Sequence, residues 1–328
     1  AGPDQAEIDK IIKEMIAAGL NITVEGDLQD FLGVNIERKD DGTIHLTQPH
    51  LIDKILKDLR LDGDDVTAKV TPASSSQLLS RHSDSEEFDG SFNFKSVIGK
   101  LNYLEKSTRS DISYITHQFA RITSGLKKEH GQAIRWLGRY LKGTRNIGTI
   151  LKPCKGKDME IYVDADFAGT WCTEYAENSS VAHSRSGWII SFANCPILWT
   201  SKMQTEIALS TTEAEFIALS QAMRELIPTR RLLTEISGYM RLQGDSPVLI
   251  KSTVFEDNNG AISTARAVKM TPRTKHIAVK YFFFKSHIGP DTGIELVKID
   301  TLLQNADIFT KGMAPEKCVA MRKLLCGW

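Results

Sequence analysis

Beyond Cys154 the hydrophobic pattern changes from a helical period to alternation, and the order of elements that follows admits few folds. "MEIYVDADF" alternates as a strand, while "SGWIISF" and "PILWTS", split by "ANC", read as a hairpin. "STTEAEFIALSQAM" opens a helix that is expected to run to about Ile236 with a kink at Pro228. "VLIKSTVFEDNNG" is a strand turning directly into a helix, "TKHIAVKYFFFKSHI" a helix, "GIELVKID" a strand and "TLLQNADIFTK" a helix. The order β-β-β-α-β-α-α-β-α predicts an α/β fold in which three antiparallel strands are followed by crossover strands. The result is a mixed five-stranded sheet with helices on its faces.

Upstream the pattern is different. "IDKIIKEMIAA" repeats apolar residues at helical spacing, and "FLGVNIER" with "TIHLTQ" forms a hairpin around "KDDG". "PHLIDKILKDLRL" is a short amphipathic helix opening on Pro49, and residues 72–91 read as a polar linker. Residues 94–142 then carry three apolar stripes at helical spacing, which predicts a mainly helical module.

Charge is distributed unevenly. The chain is neutral overall, but residues 95–157 hold 14 Lys+Arg against 3 Asp+Glu, and residues 1–94 hold 9 against 19. The basic stretch is either a solvated helix face or a surface for a polyanion, whose counterions clustered Lys and Arg release. Arg135, Arg139, Lys142 and Arg145 lie toward its end. Five cysteines without a C-x-x-C pair fit neither a disulfide framework nor a zinc site. No apolar run approaches the roughly 18 residues of a membrane span, and "AGPDQAEIDK" has no signal-peptide character, so an intracellular protein is expected.

The acids are the informative residues. Ser210 and Glu213 have the spacing of a capping box, which accounts for Glu213. Steps of four, three and four from Glu215 reach Leu219, Ala222 and Leu226, so Glu215 shares the buried stripe, where a carboxylate needs a partner or a cation. Asp164 falls mid-strand on the face of Tyr162 and Asp166, and Asp166 at the strand end has an ordinary turn explanation. In "TVFEDNNGAI", Asp257 is the better candidate because Glu256 alternates to the opposite face, and Asn258 or Asn259 is placed to cap the next helix. Asp307 follows a second apparent capping box, Thr301 with Gln304, and by spacing alone reads as a surface acid. Carboxylates from separate elements without a His or Cys pattern suit Mg²⁺ rather than zinc, and such clusters hold two ions that act on phosphodiesters.

The runs "YVDADFAG", "SRSGWIISF", "ILWTSKMQ", "ALSTTEAEFIAL", "EDNNGAI", "TPRTKHI" and "QNADIFTKGM", in this order, closely resemble the ribonuclease H domain of copia-type LTR retrotransposon Pol polyproteins. "DLQDFLGVNIE", "IHLTQPHLIDKIL", "SVIGKLNYLEKSTRSDISY" and "AIRWLGRYLKGTRNIGTIL" resemble the palm end, thumb and connection of the same family's reverse transcriptase. The resemblance implies residues 1–75 as the palm end, with a hairpin similar to the primer-positioning one and the start of the thumb. It implies 76–157 as a basic thumb and connection, and 158–328 as a ribonuclease H-like domain.

It further implies a Mg²⁺-dependent nuclease, with two ions and Mn²⁺ able to substitute, that cuts the RNA strand of an RNA/DNA hybrid. The family's acidic set matches Asp164, Glu215, Asp257 and Asp307. Lys202, Arg273, Lys275 and His276 join the basic helices as expected contacts to nucleic-acid phosphates. Tyr-x-Asp-Asp occurs nowhere, so no polymerase activity is expected of this chain alone. Alternatives are a non-catalytic hybrid-binding remnant, or a subunit that complements a separate fingers and palm fragment or other Pol products. The cytoplasm, in a virus-like particle, or the nucleus is the expected location. Ser110 stands where the family has proline in "TRPD", Phe167 and Phe216 where Trp and Tyr are common, and "YFFFKSHI" departs from the usual helix. These departures place local packing in question rather than the acids.

Overall fold

The computed structural model describes residues 5–23, 29–74, 79, 85–122, 124–169, 171, 173, 181–239, 250–267 and 279–328. It begins with helix α1 (Gln5–Ala17), followed by strands β1 (Asp30–Phe31), β2 (Val34–Arg38) and β3 (Ile44–Thr47). The expected hairpin is β2–β3, antiparallel with Asn35 opposite Thr47. Its turn is closed by Gly42 at φ 82° and by the Thr43 N–H donating to Asp41 Oδ1 at 3.0 Å.

Four helices follow: α2 (Pro49–Asp58), α3 (Phe94–Ser107), α4 (Ser113–Ala120) and α5 (Lys128–Gly143). Proline stands in the first turn of α2, where a missing N–H costs nothing, and the Asn93 side chain caps α3 by accepting from Ser96 N. Their apolar stripes meet in one core containing Ile52, Ile55, Leu101, Phe119, Ile134 and Leu137.

Two features here differ from the sequence reading. A short strand, β4 (Thr149–Leu151), follows the helices and extends the hairpin sheet, pairing Ile44 with Leu151. Gly148 permits this, since a Cβ there would lie 1.8 Å from the Leu46 carbonyl oxygen. The supposed linker is also anchored where it is described. Ala73 and Leu79 belong to the helical core, Phe88 packs against it, and Phe88 N–H donates to Leu126 O at 2.9 Å.

The second sheet comprises β5 (Met159–Asp166), β6 (Arg185–Phe192), β7 (Cys195–Met203), β8 (Ser252–Glu256) and β9 (Ile294–Lys298). Its order is β7-β6-β5-β8-β9, with β5–β6 and β6–β7 antiparallel and β5–β8 and β8–β9 parallel. This is the mixed five-stranded sheet expected from the element order. Helix α6 (Thr211–Tyr239) continues through Pro228 as one element, past the expected end, and buries Ala214, Ile217, Ala218, Ala222 and Leu226 against the sheet. Helix α7 (Asn259–Arg266) is capped by Asn258, whose side chain accepts from Ala261 N.

On the opposite face lie α8 (Asp307–Thr310) and α9 (Pro315–Cys326), packed over Ile189 through Phe309, Met313, Met321 and Leu325. Helix α9 has no counterpart in the sequence reading. The helix expected from "TLLQNADIFTK" is broken: Thr301–Leu303 form a 3-10 turn, and α8 starts only at Asp307. The Gln304 side chain donates to Val163 O at 2.8 Å and accepts from Ala306 N, so it serves the sheet instead of a cap, and Asp300 caps Leu302 N. Of the helix expected over 274–288, residues 279–287 are 3-10, Ile288 lies just past them, and residues 274–278 lie outside the described residues.

Side chains from separate segments join the helical core to the second sheet. Trp199 Nε1 donates to Glu105 O at 3.0 Å, and Arg185 Nη1 donates to Ser201 Oγ at 3.0 Å and approaches His117 Nδ1 at 3.3 Å. Burial lowers the His117 pKa from 6.5 to about 3, with Arg185, Arg121, Lys106 and Lys202 adding repulsion. Because the unfolded histidine takes a proton that the folded one refuses, this contribution to stability is complete above pH 6.5 and declines as pH falls toward 3. Urea titrations of His117→Gln should show an acid limb flattened by up to about 1 kcal/mol per pH unit. A limb as steep as wild type would remove His117 from the account of acid lability.

Candidate metal centre

Asp164 occupies the sixth position of β5, directly opposite Gly187 of β6. Gly187 is required by packing: a Cβ there would stand 2.7 Å from both Phe309 Cβ and Thr310 Cγ2. The absent side chain lets α8 settle on the sheet and brings the Thr310 hydroxyl to Asp164 Oδ2, to which it donates. The same hydroxyl lies 3.1 Å from Asp307 O.

Glu215 enters from the first turns of α6. That helix starts as its sequence suggests, with Glu213 N–H donating to Ser210 Oγ at 3.1 Å and the Glu213 carboxylate accepting from Leu209 N at 2.8 Å. Glu213 is thereby accounted for by the helix start. Glu215 is 5% exposed, and its Oε2 is buried with no hydrogen-bond partner among the described residues.

Asp257 follows β8 at the carboxyl edge of the sheet, half-buried, while Glu256 turns into the core and is fully buried. Glu256 Oε1 accepts from Asn258 N at 3.0 Å, and its Oε2 has no partner among the described residues. Asp164, Glu215 and Asp257 each present an oxygen within 4.8 Å of the others. Three elements far apart in sequence thus converge on one acidic point.

The electrostatics follow from that crowding. Burial raises the Asp164 pKa from 3.8 to about 6, opposed by Lys311 and Thr310 and reinforced by Asp307 and Asp257. Glu215 is pushed far above the carboxylate range by burial and then by Glu256, Asp164 and Asp257, with the Ala165 N–H the opposing contact. Burial likewise raises Glu256. A buried carboxyl such as Glu215 that resists ionising alone, with an unpartnered oxygen, is suited to a cation that allows it to ionise. The donors are all carboxylate oxygens, the set preferred by Mg²⁺ and Mn²⁺ over zinc.

Asp307 stands beside this triad in a different condition. It is fully buried, with Lys311 Nζ 2.7 Å from Oδ1 and Lys317 Nζ 2.5 Å from Oδ2. The Lys317 contact is a hydrogen bond, and the Lys311 contact is an ion pair by proximity, since Oδ1 has no aligned donor. Asp166 closes the turn after β5, its carboxylate filling the space where Gly169 would carry a Cβ. A cavity of about 900 Å³ bordered by Lys251, Arg266, Lys285 and Glu295 holds none of these acids.

The basic candidates are dispersed in their commitments. Arg145 grips Asp53 through Nε and Nη2 at 2.6 and 2.5 Å, Lys142 Nζ donates to Gly63 O, and Arg135 donates to Ser91 Oγ while lying over Phe92. Arg139 and Lys202 are exposed. Arg273, Lys275 and His276 lie outside the described residues. Thr310, Lys311 and Lys317 escaped the sequence reading. Only Lys311 left a trace there, as the fourth residue after Asp307, the spacing of a helical ion pair.

A mixed α/β sheet with three carboxylates gathered at its edge defines a protein with a candidate divalent-cation centre. No protein-family model matches the chain. The Pol polyprotein of transposon TNT 1-94 from Nicotiana tabacum is 29% identical over 99% of this chain and 23% of its own length. That of transposon RE1 from Arabidopsis thaliana is 32% identical over 88% of this chain and 18% of its own length. The chain's homologues are thus copia-type retrotransposon Pol polyproteins, covering most of it, and it spans only about a fifth of their length. Among solved structures, LC11-RNase H1 in complex with an RNA/DNA hybrid is similar at 17% identity with a TM-score of 0.31, over 46% of this chain and 93% of that one. The N-terminal RNase H domain of Mycobacterium tuberculosis rv2228c is similar at 11% identity and the same TM-score, over 51% and 98%.

Proposed function

We propose that this chain hydrolyses the RNA strand of RNA/DNA hybrids with divalent cations, as the ribonuclease H part of a retrotransposon Pol protein. The observation that carries the reading is the convergence of Asp164, Glu215 and Asp257 within 4.8 Å, with Glu215 Oε2 buried and unpartnered. Two-ion catalysis, with Asp307 completing the set, is part of the same proposal. Bound Mg²⁺ would supply an acidified water and charge to stabilise the leaving oxygen.

The chain's own residues do the rest. Asp164 is held by the Thr310 hydroxyl and presents an oxygen within 4.8 Å of the other two acids. Glu215 is kept from ionising until positive charge arrives, which couples cation binding to proton release. The exposed Arg139 and Lys202, with Arg273, Lys275 and His276, are proposed to position the hybrid by its phosphates without reading bases.

Incubation of labelled RNA/DNA hybrid, duplex DNA and duplex RNA with Mg²⁺ or EDTA tests the reading. The expected result is scission of the RNA strand of the hybrid alone, lost in EDTA. Absence of any cation-dependent hybrid cleavage would overturn it.

A second reading has its own observation. The α1 face carrying Ile11, Met15 and Ile16, together with the hairpin-tip residues Phe31 and Leu32, is exposed. Such apolar surface suits docking to the fingers and palm of a reverse transcriptase. Primer extension that appears only on mixing with a fingers and palm fragment would support it, and its failure after demonstrated mixing would dismiss it.

A further inference from the structure

We infer that Lys311, assisted by Lys317, is a built-in cation on the Asp307 side of the centre, and that a second divalent ion must displace it. The inference rests on the nuclease reading and concerns how its two cation positions differ. Asp307 is 1% exposed at its side chain, and both of its oxygens face lysine ammonium groups, at 2.7 Å for Lys311 and 2.5 Å for Lys317. A carboxylate this buried needs a compensating charge, and here the chain provides it. Among the described residues no lysine or arginine pairs directly with Asp164, Glu215 or Asp257 as Lys311 and Lys317 do with Asp307, so the two sides of the centre are neutralised by different means.

Lys311 is the group placed to distinguish them. It is the C-terminal cap of α8, its N–H donates to Asp307 O at 3.1 Å, and its ammonium is drawn toward Asp164, Asp307 and Asp166. A cation that Asp307 helped to hold would have to take the place of that ammonium, which lies 2.7 Å from Oδ1. The side chain is 45% exposed, and Lys317 on α9 is 36% exposed, so both tethers have solvent into which to swing without unfolding the site. The triad should therefore fill first. Occupation of the Asp307 side should follow only at higher cation concentration, because each binding event there also pays for breaking an ion pair. A lysine replacement that removes the charge should narrow the gap between the two affinities.

Mn²⁺ titration of the whole chain without nucleic acid, followed by electron paramagnetic resonance and calorimetry, reads this directly. Wild type is expected to bind one ion tightly and a second more weakly. In Lys311→Met the second affinity should rise by roughly tenfold after allowance for solvent screening, with the first unchanged, while Lys311→Arg should keep the wild-type pattern. Should Lys311→Met not fold, Lys317→Met tests the same clamp through the other oxygen and should shift the second affinity in the same direction. Identical second affinities in wild type and the charge-removing variants, with the first site intact, would overturn the lysine inference alone. No Mn²⁺ binding by any of the proteins would overturn the nuclease reading and this inference together.

Discussion

Asp164→Asn is expected to reduce cation-dependent hybrid cleavage by roughly a thousandfold or more, the scale on which removal of a group acting directly on transition-state charge is felt. Asparagine keeps the shape and can still accept from Thr310, so loss of activity would report lost charge at the triad rather than lost fold. Stability separates the two. The Asp164 pKa is raised from 3.8 to about 6, chiefly by burial, so its contribution to stability is present below pH 3.8 and is lost as pH rises through 6. In EDTA near neutral pH the variant should therefore melt no lower than wild type, and its stability should change less between pH 4 and 7. Unaltered cleavage by a folded Asp164→Asn protein would remove Asp164 from the reaction.

Asp111→Ala is expected to be the most damaging single change to stability, costing about 3–5 kcal/mol by leaving a buried guanidinium without its counter-charge. Arg109 and Asp111 are both essentially unexposed and pair twice, Nε to Oδ1 at 2.9 Å and Nη2 to Oδ2 at 2.8 Å. Tyr140 donates its hydroxyl to the same carboxylate, and Arg109 Nη1 donates to Thr144 O at 3.1 Å. Arg322 of α9 reaches the Tyr140 hydroxyl at 3.3 Å, so the network ties the turn before α4 to α5 and to the C-terminal helix. Ser110 takes part as well, its hydroxyl 3.5 Å from Cys326 Sγ, so the exchange of proline for serine leaves this junction packed. Urea unfolding of Asp111→Ala beside the double variant Arg109→Met, Asp111→Leu should show part of the loss recovered when both charges are removed. A single variant within about 1 kcal/mol of wild type would show that the pair is not a structural anchor.

Much of the centre was legible because it depends on local geometry. Steps along one helix face separate Glu215 from Glu213, and alternation along one strand separates Asp257 from Glu256. In each case the structure places the chosen acid in the triad and the neighbour in the cap or the core. The order of elements likewise implied the mixed sheet, since short connections force antiparallel neighbours and helical crossovers force parallel ones. The 3-10 turn at Thr301–Leu303 was not legible, because Gln304 bonds to Val163 of a distant strand in preference to its own helix.

By itself, then, the sequence determined which side of each element a residue faces, because the helical and strand periods are set by the backbone. It also carried the family resemblance. The tertiary structure alone decided what approaches each of those faces. The junction of α9 with Arg109 and Asp111, the strand β4 against β3 and Lys317 on Asp307 are contacts of groups that no period relates. Their energies depend on burial, which exists only once the segments have packed.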